Sequence, residues 1–314
     1  MPLPLAHGHL RQTSEDPMHP FQGLSAFPIT PADADGRVLQ PDLRRILRRA
    51  ADAQVDSVCI LGSTGGYAYL DPDQRHAATE LAVDEIGGQV PVIVGVGALR
   101  TDVAQALARH ATASGADALL VAPVSYTPLT EDEVFAHYAA IAEASDLPIC
   151  IYNNPTTTHF TFTTGLLTRL AAIPAIRAVK MPLPANGDFA AEIAHLRAAL
   201  PDGFSIGYSG DWGCAPAMLA GADAFYSVAA GTWPAEMLRL LRTAQSGDAP
   251  ETARIDKAFE AMWALFKASS SFRTVHRAAN LLGLTNAQPP RPILPLPAAH
   301  DSALRQAMDA LVTV

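Results

Sequence analysis

Eight short apolar, β-rich runs alternate along this chain with longer stretches whose apolar residues recur every three or four positions. No other feature restricts the fold as much, because near-continuous apolar strands need cover on both faces and helices supply it. The predicted strands are Gly23–Thr30, Ser57–Leu61, Val90–Val94, Ala118–Val121, Pro148–Tyr152, Ile176–Lys180, Phe204–Tyr208 and Ala224–Ser227. Helical patterns fill Pro41–Gln54, Pro72–Ile86, Thr101–Ser114, Glu131–Ala144, Phe162–Ala171, Ala185–Ala199, Asp211–Ala220 and Pro234–Thr243. Entry signals agree with this spacing. Asp71 precedes Pro72, a cap followed by a residue suited to the first helical turn. Thr130 precedes Glu131, Asp132 and Glu133, placing acids at the positive end of a helix dipole. Eight such units within about 225 residues match a (β/α)8 TIM barrel. The alternative is an open doubly wound sheet, which usually carries an early glycine-rich phosphate turn. Gly95-Val96-Gly97 lacks the third glycine of that turn.

Beyond Asp248 the strand pattern stops. Thr252–Lys267, Phe272–Leu282 and Ser302–Val312 read as helices, and Gln288–Pro297 holds five prolines, which demand an extended or loop path. The predicted organisation is a loose tail over residues 1–20, a barrel over 21–247 and a C-terminal helical appendage over 248–314. Met1–Pro20 lacks the basic and apolar blocks of a secretory signal, and Met18 is a second candidate start.

Composition narrows the function classes. With 49% hydrophobic and 17% charged residues the chain can bury a large core. A formal charge of −9 repels phosphate backbones and anionic lipid, so neither nucleic acid nor a membrane surface is an expected partner. No apolar run approaches the roughly 20 residues of a spanning helix. Cys59, Cys150 and Cys214 are distant, odd in number and form no CxxC pair, which fits reduced thiols and a cytoplasmic location. Only three of the 22 basic residues are lysines: Lys180, Lys257 and Lys267. Where charge alone is wanted this chain uses arginine, so a lysine in an apolar strand needs a reason.

In a barrel of this kind the chemistry stands at the C-terminal ends of the strands. Those ends carry Gly62-Ser63-Thr64-Gly65-Gly66, Tyr152-Asn153-Asn154-Pro155, Val179-Lys180-Met181-Pro182 and Ser209-Gly210-Asp211. Period-two alternation puts Ile176, Ala178 and Lys180 on one face, the barrel interior. Burial disfavours the charged form of an amine, and a neutral amine can attack a ketone to form an imine. The plainer reading of such a lysine is a snorkelling or ion-paired strand end. A phenol on the neighbouring strand, Tyr152, could relay protons, although an aromatic core residue with its hydroxyl at the rim is commoner. The Ser63-Thr64 turn could gather backbone N–H groups for a carboxylate, or be an ordinary strand-to-helix turn. It lacks the Gly-Lys-Ser/Thr ending of a nucleotide-binding loop.

These segments, with Leu24–Pro31 ahead of them, resemble in order the motifs of the dihydrodipicolinate synthase / N-acetylneuraminate lyase family, from about Phe21 to about Pro297. The resemblance implies a TIM barrel with a C-terminal helical domain, a tetramer built as a dimer of dimers, and class I lyase or aldolase chemistry on pyruvate or a related 2-oxo acid. It implies that Lys180 forms the imine, Tyr152 transfers protons, Ser63 belongs to the relay, and Thr64 with the Gly65 turn holds the 2-oxo acid carboxylate. Ser209 and Gly210 complete the expected substrate site, and neither metal nor cofactor is implied.

Three positions depart from the synthase branch. A tyrosine expected after strand four is Ser125, with Tyr126 one place on. The arginine expected after the Tyr-Asn-x-Pro motif is Thr157, which removes a bidentate carboxylate donor. The glutamate usual after the Ser-Thr-Gly turn is Gly66. The 2-oxo acid half of the site is thus expected intact, with Ser125 and Thr157 marking an altered second-substrate half; a genuine dihydrodipicolinate synthase is the alternative. Two rivals of other kinds are a metal-dependent aldolase, for which the ten histidines are too scattered, and a non-catalytic 2-oxo acid binding protein on the same barrel.

Overall fold

The computed structural model describes residues 19–312 and Val314. The tail over residues 1–20, apart from its last two residues, and the alternative start at Met18 lie outside the described residues. Eight parallel strands close into a barrel in chain order: β1 (Gly23–Ala26), β2 (Ser57–Ile60), β3 (Val92–Gly95), β4 (Ala118–Val121), β5 (Ile149–Tyr152), β6 (Ile176–Met181), β7 (Ser205–Ser209) and β8 (Ala224–Ser227). Pairing of Gly23 with Ala224 through Ala26 with Ser227 closes the ring and excludes the open sheet. Strand β1 is shorter than the predicted Gly23–Thr30, because the chain leaves the sheet ahead of Pro28, which has no N–H for a ladder.

Two apolar layers hold the barrel. Leu24, Val58, Leu119, Ile151, Val179 and Ile206 face outward under the helices, whereas Cys59, Ile93, Leu120, Cys150, Ala178 and Tyr226 fill the interior. The three cysteines are buried free thiols. Tyr226 has room because β7 offers Gly207, where a Cβ would come within 2.5 Å of the tyrosine ring.

One irregularity matters for the site. Ile149 pairs with Ile176 but Cys150 pairs with Ala178, so β6 carries an extra residue, the exposed Arg177. This bulge changes the phase of the alternation. Ile176 packs in the outer layer, not the interior where simple period-two counting put it, while Ala178 lies inside.

Helices surround the strands close to the predicted spans. Asp71 accepts from the Gln74 N–H at 2.8 Å and starts Pro72–Ile86. Thr130 and Glu133 form a reciprocal capping box for Glu131–Glu143. The predicted Ala185–Ala199 begins only at Phe189, where Asp188 accepts from the Ala191 N–H at 2.9 Å. The predicted Asp211–Ala220 is a 3-10 turn, Asp211–Gly213, followed by Cys214–Leu219. At the C-terminal side the single predicted helix Thr252–Lys267 is two, Ala249–Ala258 and Glu260–Ser269, joined at Phe259. Ser271–Leu281 and Asp301–Leu311 follow, and both pack on Glu260–Ser269. Among the described residues no helix is long and apolar enough to cross a membrane.

Candidate active site

The turn after β2 is shaped by close backbone packing. Leu61 has a left-handed backbone, φ 55°, unusual for a branched apolar residue. Gly95 makes room for it: a Cβ there would lie 1.9 Å from the Leu61 carbonyl oxygen. Gly65 folds back on the same residue, where a Cβ would lie 2.8 Å from the Leu61 nitrogen. Gly66, at φ 63°, then opens the 3-10 turn Tyr67–Tyr69, so the position of the missing glutamate has a backbone that glycine adopts without cost. From the outer side Arg75, almost wholly buried, donates to Gly95 O at 2.9 Å and Gly97 O at 3.1 Å, with its guanidinium over the Tyr67 ring at 5.2 Å. Burial lowers the Arg75 pKa to about 10 and pushes the Tyr67 phenol up. The outcome is a fixed turn that presents Ser63 and Thr64 at the barrel rim.

Tyr152 and Lys180 are register partners at the ends of β5 and β6. Lys180 is 5% exposed. Its Nζ stands 4.6 Å from the centre of the Tyr152 ring, 5.1 Å from that of Phe27 and 5.7 Å from that of Tyr226. None of its contacts is a carboxylate ion pair among the described residues, so the plainer reading of an ion-paired strand end does not fit. The Tyr152 hydroxyl lies 3.1 Å from Ser63 Oγ and accepts from Asn154 Nδ2 at 2.9 Å. Asn154 is set in turn by Thr156, whose hydroxyl donates to its Oδ1 at 2.7 Å. With the Asn154 amide on the phenol oxygen, the phenol hydrogen is free to point at Ser63.

The third rim segment is fixed by Asp211. This buried carboxylate accepts from Ser227 Oγ at 2.5 Å and from the Ala229 N–H at 3.0 Å, tying the end of β7 to the end of β8. Burial raises its pKa against the opposing pull of those donors. Ser209 donates to Met181 O at 3.3 Å, which holds the β7 rim to β6.

A cleft of about 830 Å³ opens over these groups. Ser63, Thr64, Tyr152, Thr157, Lys180, Ser209 and Gly210 all line it. Two predicted members do not. Gly65 borders a neighbouring cleft with Thr64 and Gly66. Ser125 turns back on its own loop, where its hydroxyl donates to the Thr127 carbonyl, and Tyr126 beside it is 96% exposed. Residues not predicted for the site are Phe27 and Tyr226 over the amine, Asn154 on the phenol, Asp211 as a tie, and Trp212, Phe266, Phe272 and Ile293 on the cleft wall. Asn154 and Asp211 stood inside the rim motifs; the C-terminal aromatics had no local signal. No group of three or more His, Cys, Asp or Glu among the described residues is placed to hold a metal ion.

The profile of the dihydrodipicolinate synthetase family matches residues 20–311. The chain belongs to that family. The 4-hydroxy-tetrahydrodipicolinate synthase of Methylococcus capsulatus is 34% identical over 289 residues, covering 92% of this chain and 98% of that one. Its counterpart in Methylibium petroleiphilum is 32% identical, covering 93% and 98%. Among solved structures, dihydrodipicolinate synthase from Agrobacterium tumefaciens superposes with a TM-score of 0.92 at 56% identity, covering 93% of this chain and 98% of that one. The chloride-inhibited dihydrodipicolinate synthase from Acinetobacter baumannii, complexed with pyruvate, gives 0.85 at 26% identity over 94% and 100% of the two chains. The present chain is accordingly an enzyme, a lyase of the dihydrodipicolinate synthase type.

Proposed function

We propose that this family member is a class I lyase in which Lys180 forms a Schiff base with pyruvate or a related 2-oxo acid, and that its second substrate differs from aspartate semialdehyde. The observation that carries the first part is the amine itself, buried among three aromatic rings and in register with a phenol hydrogen-bonded to Ser63. The pyruvate bound by the Acinetobacter relative supports the choice of a 2-oxo acid.

The steps follow from the groups present. Lys180 Nζ adds to the ketone carbon, and the carbinolamine loses water to give a protonated imine. Loss of a proton from the adjacent carbon gives an enamine, which bonds to an aldehyde carbon; the aldehyde oxygen takes a proton. Water then cleaves the imine and frees the amine with the 4-hydroxy-2-oxo acid product. Run backwards, the same steps cleave such an acid. The Tyr152 hydroxyl carries the protons and exchanges them with Ser63. Thr64 holds the carboxylate, and Ser209 with Gly210 borders the rest of the bound acid.

Borohydride reduction in the presence of pyruvate tests this reading. The peptide bearing Lys180 should gain the mass of the reduced adduct, and Lys180→Ala should gain none. An unmodified peptide would instead favour a binding protein. The names of the relatives favour a second reading for the aldehyde, a genuine dihydrodipicolinate synthase; a strong pyruvate-dependent rate with aspartate semialdehyde would establish it. We further propose a cytoplasmic homo-oligomer, a dimer of dimers, with the loop of Ser125 and Tyr126 covered by a second copy.

A further inference from the structure

One wall of the cleft is lined by apolar side chains. The loops after β6 and β7 supply Leu183 and Trp212, and the C-terminal helices and the loop after them supply Phe266, Phe272 and Ile293. Trp212 is 38% exposed, a large ring held at a cleft wall with much of its surface uncovered. Neutral hydroxyls line the same cleft at Thr157, Ser270 and Ser271. Among the described residues lining it, Lys180 is the one cation, and Asp211, already occupied by Ser227 and Ala229, is the one acid. Lys267 stands over the Trp212 ring at 5.2 Å but is not part of the lining.

Charge balance then limits what can bind second. Once the imine forms, its positive charge is matched by the carboxylate of the 2-oxo acid. A second carboxylate would enter the cleft with no further cation among the lining residues to meet it, Lys267 lying over the Trp212 ring and Arg291 in the adjoining cleft, which is costly. An uncharged ring meets Trp212, Phe266 and Phe272 instead. A strained backbone position lies within this wall. Ser270 breaks the helices at φ 74° and ψ 131°, an unfavourable conformation for a residue with a Cβ. The break carries the chain from Phe266 to Phe272 so that both border the cleft.

From this lining, and resting on the Schiff-base reading above, we infer that the second substrate is an uncharged aldehyde with an apolar, ring-sized body. The enamine carbon bonds to the aldehyde carbon, the aldehyde oxygen gains a proton through Tyr152, and hydrolysis of the imine releases a 4-hydroxy-2-oxo acid with an aryl or similar substituent. In the cleavage direction the same class of aldehyde is the leaving product.

The test pairs trapping with a competition. One sample of full-length enzyme is reduced with borohydride and pyruvate; a separate, unreduced sample is given pyruvate with benzaldehyde or with aspartate semialdehyde, and products are read by mass and initial rate. The expected result is a Lys180 adduct and a kcat/KM for benzaldehyde about tenfold or more above that for the semialdehyde. Thr157→Arg should move that ratio toward the carboxylate-bearing semialdehyde, and Trp212→Ala should raise the KM for benzaldehyde more than the KM for pyruvate. A normal Lys180 adduct together with preference for the semialdehyde, equal use of both, or no condensation with benzaldehyde overturns the substrate class while leaving the imine in place. Absence of the adduct overturns both.

Discussion

Replacing Tyr152 by Phe separates chemistry from packing better than any other single change. The ring keeps its place beside Lys180 Nζ, 4.6 Å away, and only the hydroxyl is lost. That hydroxyl has two partners, Ser63 Oγ at 3.1 Å and Asn154 Nδ2 at 2.9 Å. Each hydrogen bond is worth about 1 kcal/mol net, and both partners are half-buried at a cleft that water can enter, so water recovers part of the loss. The folded state should therefore lose about 1 kcal/mol, a fall of about 2 °C in the unfolding midpoint. Catalysis should suffer far more. A positioned proton carrier contributes about 100- to 10,000-fold, equivalent to about 3–5 kcal/mol of barrier at 1.36 kcal/mol per decade. The assay is single-turnover formation of the reduced pyruvate adduct on Lys180, alongside thermal unfolding of the same sample. A variant that forms the adduct within tenfold of the native rate would refute the assignment of Tyr152 as proton carrier. A variant that loses activity and unfolds many degrees lower would refute the claim that the hydroxyl acts in chemistry and not in structure.

Three further outcomes are expected. Asp211→Ala leaves Ser227 Oγ and the Ala229 N–H buried without their acceptor, and should cost about 3 kcal/mol in denaturant unfolding with a looser β7–β8 rim; a change below about 1 kcal/mol would contradict the tie. His276 is buried against Phe272, and burial lowers its pKa to about 4, so the folded chain binds fewer protons than the unfolded chain between that value and the ordinary histidine range. Its stabilising contribution, about 3 kcal/mol, is present above about pH 6.5 and lost as pH falls toward 4; His276→Leu should flatten that acid limb of the thermal midpoint, and an unchanged limb would rule His276 out. The exposed Tyr126 is expected to sit at a contact between copies, so Tyr126→Asp should lower the mass seen by light scattering, while an unaltered mass would place the contact elsewhere.

The eight strands and most helix starts could be read because they depend on neighbouring residues: alternation, capping by Asp71 and Thr130, and the acids after Thr130 all act within one turn. Lys180 and Tyr152 were legible for the same reason, since each ends its own apolar run. The bulge at Arg177 was not. It arises from the pairing of β5 with β6 and leaves no mark in the composition of either strand, so counting from Ile176 gave the right face for Lys180 while giving the wrong one for Ile176. The break at Phe259 was hidden similarly, because Glu251 through Lys267 keeps good helix formers on both sides of it.

The cleft wall depends on contacts that no local pattern encodes. Trp212 follows β7, Phe266 and Phe272 flank Ser270, and Ile293 lies in the proline-rich segment, yet all four border one space above Lys180. The barrel sets where the amine stands, and that position tolerates many second reactants, because the enamine needs only an aldehyde carbon within reach. Selection among them falls to groups that touch the rest of the aldehyde. Of the two positions readable in advance for the second substrate, Ser125 and Thr157, only Thr157 lines the cleft, as a loss of positive charge. Its meaning depends on the rest of the lining: beside basic residues a threonine would leave carboxylate binding largely intact, whereas in a cleft also lined by Trp212, Phe266 and Phe272, with Lys180 its one lining cation, it fits the uncharged aldehyde inferred above.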